Sequence, residues 1–124
     1  MKYLILIHQN RQARQQFAAL PAEAQAAGMQ AYYDLNAELT ASGELVSAEA
    51  LGDDSTATVL TLRGGSVVTS DGPFAESKEL LAGFYLVDVG SLERAIEIGA
   101  KIPEVRAGAG DIEIRQVMDT SAMA

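Results

Sequence analysis

The chain has 124 residues, 48% of them hydrophobic, no cysteine, and nine Lys and Arg against seventeen Asp and Glu, a net charge of −8. That length and apolar content predict one compact domain, and the absence of thiols excludes disulfides, thiolate metal sites and cysteine nucleophiles. The negative balance repels phosphate backbones and anionic lipid, so neither nucleic acid nor membrane is an expected partner.

No apolar run reaches the roughly eighteen residues of a membrane span. The opening MKYLILIHQN, a short apolar stretch ending in polar residues with no small-residue cleavage site, reads as a strand and not as a signal peptide. A cytoplasmic location is the expectation. With a single His, and acidic pairs (Asp53 with Asp54, Glu76 with Glu79) that lack the Gly-punctuated spacing of a calcium loop, no metal or other cofactor is expected.

In residues 2–8, Leu4, Leu6 and His8 alternate with Tyr3, Ile5 and Ile7. Apolar side chains on both faces predict a central strand covered on both sides. Residues 11–42 turn rich in Ala, Gln and Glu, with Met29, Tyr32, Leu35 and Leu39 at near-helical spacing, Pro21 suited to a first turn and Gly43 placed as a C-cap. Residues 9–20 read as a loop plus a shorter helix. Residues 44–51 and 56–63 are strand-like, and the turn-forming Gly52-Asp53-Asp54-Ser55 between them suggests that they pair antiparallel. Gly64-Gly65 then signals a hairpin into Val67-Val68-Thr69.

Residues 83–89 form a second strand apolar on both faces. Ser91 is a candidate N-cap for a helix whose Leu92, Ala95, Ile96 and Ile102 line one side, with Lys101 near its end and Pro103 stopping it. In residues 111–117, Ile112 and Ile114 face one way and Glu113, Arg115 and Val117 the other. The domain is read as residues 1–118, with 119–124 a loose tail.

This order predicts a ferredoxin-like split βαβ plan with an inserted hairpin, an α+β fold with helices on one face of its sheet. The other face needs a cover, and a second copy packed sheet to sheet is the simplest one, so a homodimer is expected.

The stretch VTSDGPFAESKELLAGFYLVDVGSLERAIEIGAKIP, residues 68–103, resembles the core of the DGPF branch of the YCII-related proteins. MKYLILIH at the start, the Glu-Leu before a Ser-Gly turn in residues 38–43, and IEIRQV at 112–117 fit in the same order, so the resemblance covers nearly the whole chain. It implies a dimeric α+β barrel, usually bacterial and often found beside or fused to sigma factors of the extracytoplasmic-function type, with no settled activity for this branch. In other relatives the resemblance implies a His near the start of the first long helix pairing with an Asp in the dimer cleft, and lyase or dehydrohalogenase chemistry. Residues 29–39 here hold no His, and Tyr32 stands near its place.

Asp71 opens Asp-Gly-Pro-Phe. Its carboxylate either accepts from backbone N–H groups of a rigid turn that Phe74 anchors in the core, or is held in a cleft as acid, base or acceptor, with Phe74 lining the ligand site. His8, the only group with an ordinary pKa near neutrality, is either a strand-end cap or the catalytic partner of Asp71. Glu113 and Arg115 are either an ion pair at the dimer interface or a cavity pair in which Arg115 holds a ligand carboxylate. Tyr32 and Tyr33 either pack or line a pocket, and Glu76, Lys78 and Glu79 read as a solvated charge run. Three functional classes follow: a lyase, isomerase or dehydrohalogenase acting on a small molecule in the inter-subunit cleft, a non-catalytic ligand sensor, and a protein-interaction module acting with a sigma factor.

Overall fold

The structure is a computed structural model that describes residues 1–73 and 78–123. In chain order the elements are β1 (Lys2–Asn10), α1 (Arg11–Ala18), α2 (Ala22–Ser42), β2 (Leu45–Ala50), β3 (Thr58–Arg63), β4 (Ser66–Asp71), β5 (Glu79–Asp88), α3 (Leu92–Ala100), α4 (Pro103–Ala107) and β6 (Gly110–Gln116). The main sheet runs β2-β5-β1-β6, all antiparallel, which is the ferredoxin-like order with the β3–β4 hairpin inserted between its second and third strands.

The alternation in β1 sets the layers. Tyr3, Ile5 and Ile7 are buried with Tyr85 and Val87 of β5, and Leu35 and Leu39 of α2 and Ala95 and Ile98 of α3 join them in one core. Leu4, Leu6 and His8 lie on the opposite face beside Leu86, Phe84 and Leu81 of β5 and Arg115, Glu113 and Asp111 of β6. α2 and α3 lie on the first face, and among the described residues no helix covers the second.

Local signals place the helix ends. Asn10 caps α1 by accepting from the Gln12 and Ala13 N–H groups, Gly43 ends α2 at φ 77°, and Ser91 caps α3 by accepting from the Arg94 N–H. Gly64 and Gly65 have φ of 56° and 80°, the left-handed pair that a two-residue hairpin requires.

Two sequence expectations fail here. β2 pairs with β5 and not with β3, which pairs with β4. The Gly52-to-Ser55 turn is not a hairpin but leads through a 3-10 turn at Asp54–Thr56, capped by Asp53 and tied to α1 through an Arg11–Asp54 ion pair. β2 meanwhile finds a better apolar register, with Leu45 opposite Val87 and Ala48 opposite Tyr85. In α3, the buried side is Ala95, Ile98, Gly99 and Ile102, while Leu92 and Ile96 are exposed. A Cβ on Gly99 would stand 3.3 Å from Ile114 Cδ1, so a side carrying a glycine is the one that fits closest to the sheet. Pro103 lies just past the end of α3, whose C-cap is Lys101, and also takes the first-turn position of α4.

One ion pair joins the layers. Arg94 Nε and Nη2 donate to Glu44 Oε2 and Oε1 at 2.9 and 2.8 Å, bridging α3 to the chain between α2 and β2. The Arg94 hydrogen bonds, aided by Ser42, lower the Glu44 pKa from 4.5 to about 2. A depressed carboxylate pKa stabilises the fold above the unfolded value and loses that contribution as pH falls. Glu44→Gln should therefore cost about 1 kcal/mol at neutral pH, and in urea titrations the difference should shrink as pH falls from 4.5 toward 2.

Candidate active site

Below α2, at the end of the sheet where β1 passes into α1, two cavities of about 290 and 620 Å³ lie side by side. Both are lined by Gln9, Arg14, Met29, Tyr32 and Glu104. The smaller runs over the sheet past Asn36, Ala82 and Tyr85, and the larger opens between α1 and α4 past Phe17 and Gly28.

Glu104 is the chemical centre of this cleft. It is 7% exposed, the one charged residue among the buried side chains described. Ile102, fully buried, anchors the start of α4, Pro103 begins its first turn, and Glu104 is thereby turned inward beneath α2. The Tyr32 hydroxyl donates a short hydrogen bond to Glu104 Oε2, and beside it the Tyr85 hydroxyl donates to Asn36 Oδ1. Burial raises the Glu104 pKa above its ordinary 4.5, and the hydrogen bonds it accepts only partly offset this. Burial first, then Glu104, raises the Tyr32 phenol above its ordinary range, and the same causes push Tyr85 up to about 12. Both phenols therefore stay protonated donors near neutral pH, and Glu104 is the group placed to exchange a proton.

The stability consequence has a definite sign. A carboxyl whose folded pKa is raised contributes stability below its unfolded value and loses it as pH rises through the folded one. The stability of Glu104→Gln relative to the parent should therefore increase as pH rises above 4.5, which paired thermal melts across that range would measure.

The residues singled out from sequence are dispersed. Tyr32 is in the cleft. His8 is on the uncovered sheet face, its Nε2 3.3 Å from Glu113 Oε1 and its neighbour across β6 being Asp111. Nearby, a hydrogen bond with Asp111 holds the Glu79 carboxyl above its ordinary pKa. Arg115 shares this face in register with Leu4.

Asp71 is exposed at the end of β4, opposite Thr58. Its carboxylate makes no hydrogen bond or ion pair among the described residues, and none joins it to His8. The N–H two residues on, expected to bind it, does not exist, because that residue is Pro73. The turn is held instead by the Gly72 N–H donating to the Ala57 carbonyl at 2.7 Å. Phe74 lies outside the described residues. A third cavity, about 580 Å³, brings His8 together with Pro73, Arg11, Asp54 and Glu79 at the base of the hairpin.

Glu104 has no signature in the sequence. Proline followed by glutamate is an ordinary helix start, and the only hint is a lone carboxylate among Ile102, Pro103 and Val105.

A four-stranded antiparallel sheet roofed on one face by helices, with a carboxyl-bearing cleft beneath them, defines a ferredoxin-like α+β domain. The chain belongs to the YCII-related family, whose domain model matches residues 1–121. It resembles 5-chloro-2-hydroxyhydroquinone dehydrochlorinase, TftG, from Burkholderia phenoliruptrix AC1100, solved in complex with 2,5-dihydroxybenzoquinone. That likeness has a TM-score of 0.51 at 13% identity over 95% of this chain and 94% of the other, and it gives the fold alone. A 62-residue segment is 40% identical to an uncharacterised protein from Rhizobium meliloti (strain 1021), covering 48% of this chain. The chain spans about half the length of that curated relative, 50%. No helix among the described residues is long and apolar enough to cross a membrane.

Proposed function

We propose that the chain is an acid–base enzyme of the lyase or isomerase class acting on a small cyclic molecule in the cleft beneath α2. The observation that carries this reading is the buried Glu104 carboxyl, which borders both cavities and is held by Tyr32. Glu104 as carboxylate takes a proton from a carbon beside a carbonyl, and the C–H electron pair forms the new double bond. In an isomerisation the proton returns at a second carbon; in an elimination a leaving group such as chloride departs with its bonding pair. The dehydrochlorinase activity of TftG is compatible with such chemistry on this fold.

The test is a panel of chlorinated hydroquinones and cyclic 1,3-diones incubated in D₂O, with chloride release and carbon-bound deuterium as readouts. The reading expects catalysed exchange or elimination with at least one panel member; rates equal to buffer for all of them contradict it.

A second reading places the chemistry on the uncovered face, and the cavity shared by His8 and Pro73 favours it. There His8, with Asp71 across an inter-subunit cleft, would move the proton. His8→Gln should abolish turnover under this reading and leave it within about twofold under the first.

A homodimer suits both. Leu4, Leu6, Phe84 and Leu86 lie on the face without helices, and a second copy would cover them. Size-exclusion chromatography with light scattering should then give twice 13.1 kDa, with an interface above about 1,000 Å²; a monomer at micromolar concentration contradicts it. The hairpin, whose Leu60, Leu62 and Val67 are 63, 69 and 65% exposed, favours a protein partner as the non-catalytic alternative. Association with a purified extracytoplasmic-function sigma factor, lost in Leu60→Ser, would support that alternative.

A further inference from the structure

Among the described residues, Arg14 is the only cation lining either of the two cavities beneath α2, and it lines both. Asn10 caps α1, which sets Arg14 one turn in, on the same side as Ala13, Phe17 and Ala18 of the larger cavity. Its Nη1 donates to Gln9 Oε1 at 2.7 Å. Its Nε stands 3.5 Å from Asp53 Oδ1, whose side chain is 51% exposed, so that ion pair is long and solvent-screened. Nη2 has no hydrogen-bond partner among the described residues.

Glu104 lines the same two cavities, yet Arg14 and Glu104 form no ion pair among those described within the cleft. A cation and a carboxyl that border one space without neutralising each other leave room for a ligand between them. The larger cavity adds an apolar bed of Phe17 and Met29, and its remaining polar side chains, Gln9, Gln25 and Tyr32, carry no charge near neutral pH.

We infer that the ligand is a ring compound bearing an anionic group, a carboxylate or an ionised enol, which Arg14 holds while the ring lies against Phe17 and Met29 and faces Glu104. This rests on the proposed acid–base function for its orientation but not for its binding. An arginine presenting free N–H groups selects planar oxyanions over neutral amides of the same shape. Near a protein of charge −8, such selectivity has to come from a local cation, because the overall field opposes it.

The probes are 3-hydroxybenzoate and 3-hydroxybenzamide, which match in size and differ in charge, titrated at neutral pH with calorimetry and with the methyl resonance of ¹³C-labelled Met29 as the reporter of place. The benzoate should bind at least about tenfold more tightly and shift the Met29 methyl, an advantage of about 1.4 kcal/mol. Arg14→Gln should bring the ratio of affinities to about one with the benzamide unchanged, and Arg14→Lys should keep part of it. Equal affinities in the parent, no benzoate binding at millimolar concentration, an unperturbed Met29 methyl, or a preference that survives Arg14→Gln would each overturn the inference. Glu104→Gln should keep the preference, which separates the two ideas. Anion selectivity lost only with Arg14, in a protein that catalyses nothing, defeats the proposed function and leaves the binding site; turnover without anion selectivity does the reverse.

Discussion

Glu104→Gln should lower turnover by at least about a hundredfold, the usual contribution of a positioned proton-transfer group, while leaving the fold intact. Glutamine keeps the shape of the side chain and an oxygen that can accept from the Tyr32 hydroxyl, so that donor is not orphaned. Only the capacity to take up and release a proton is lost. At neutral pH the variant should be at least as stable as the parent, since burial of the ionised carboxyl opposes folding. Tyr32→Phe gives the complementary result. It leaves the carboxyl in place but removes its donor, so Glu104 loses a hydrogen bond that favours its charged form and its pKa should climb further. The acidic limb of the pH–rate profile, where activity rises as Glu104 loses its proton, should move to higher pH in Tyr32→Phe and vanish in Glu104→Gln. A Tyr32 that only packs would leave the profile where it was.

Gly110→Ala should have the largest effect on stability of any glycine-to-alanine change among the described residues, on the order of 3 kcal/mol or roughly 10 °C in Tm. A Cβ there would stand 2.0 Å from the His8 carbonyl oxygen and 3.1 Å from Gln9 Cα, backbone atoms of β1 that no rotamer change can move aside. The start of β6 must separate from β1, loosening the register that pairs Ile112 with Ile7 and Ile114 with Ile5. The same segment adjoins Ala109 of the cleft, so the variant should also lose ligand affinity. Gly90→Ala is the control: nothing lies within 4 Å of its Cβ, and it should change Tm by no more than about 2 °C. Chemical denaturation of the two variants side by side gives the comparison.

Most of the architecture was legible because its signals are local or periodic. The two-sided apolar pattern of residues 2–8, the glycine pair of the hairpin and the caps at Gly43 and Ser91 either repeat along the chain or act within a few residues. The pairing of β2 was not legible from neighbours in sequence. Its partner β5 lies beyond the entire hairpin, and choosing it depends on matching Leu45 and Ala48 to Val87 and Tyr85 across that separation. The buried side of α3 was misjudged for a related reason: large side chains were expected to face inward, whereas close approach to β6 admits Ala95 and Gly99 and turns Leu92 and Ile96 out.

The cleft was less legible than the fold. His8 and the Asp-Gly-Pro-Phe motif stand out in the sequence because a lone histidine and an acidic turn are local features. Glu104 becomes a proton-transfer candidate only through burial, which comes from Ile102 fixing α4 beneath α2 and from a phenol of α2 reaching it. Arg14 likewise looks like one more surface cation of an Ala- and Gln-rich helix until the fold sets it beside Gln9 at the edge of both cavities. Tyr32 and Met29 are the site residues whose near-helical spacing already sets them on the inner side.

The most direct test is the titration of the Glu104 side-chain carboxyl, followed by its ¹³C chemical shift in protein labelled at glutamate and assigned by loss of the resonance in Glu104→Gln. The midpoint should be displaced upward from 4.5, the signal of a carboxyl kept from solvent and poised to exchange a proton. A midpoint at or below 4.5 would mean a solvated or fully compensated carboxylate, and the acid–base assignment of the cleft would be wrong.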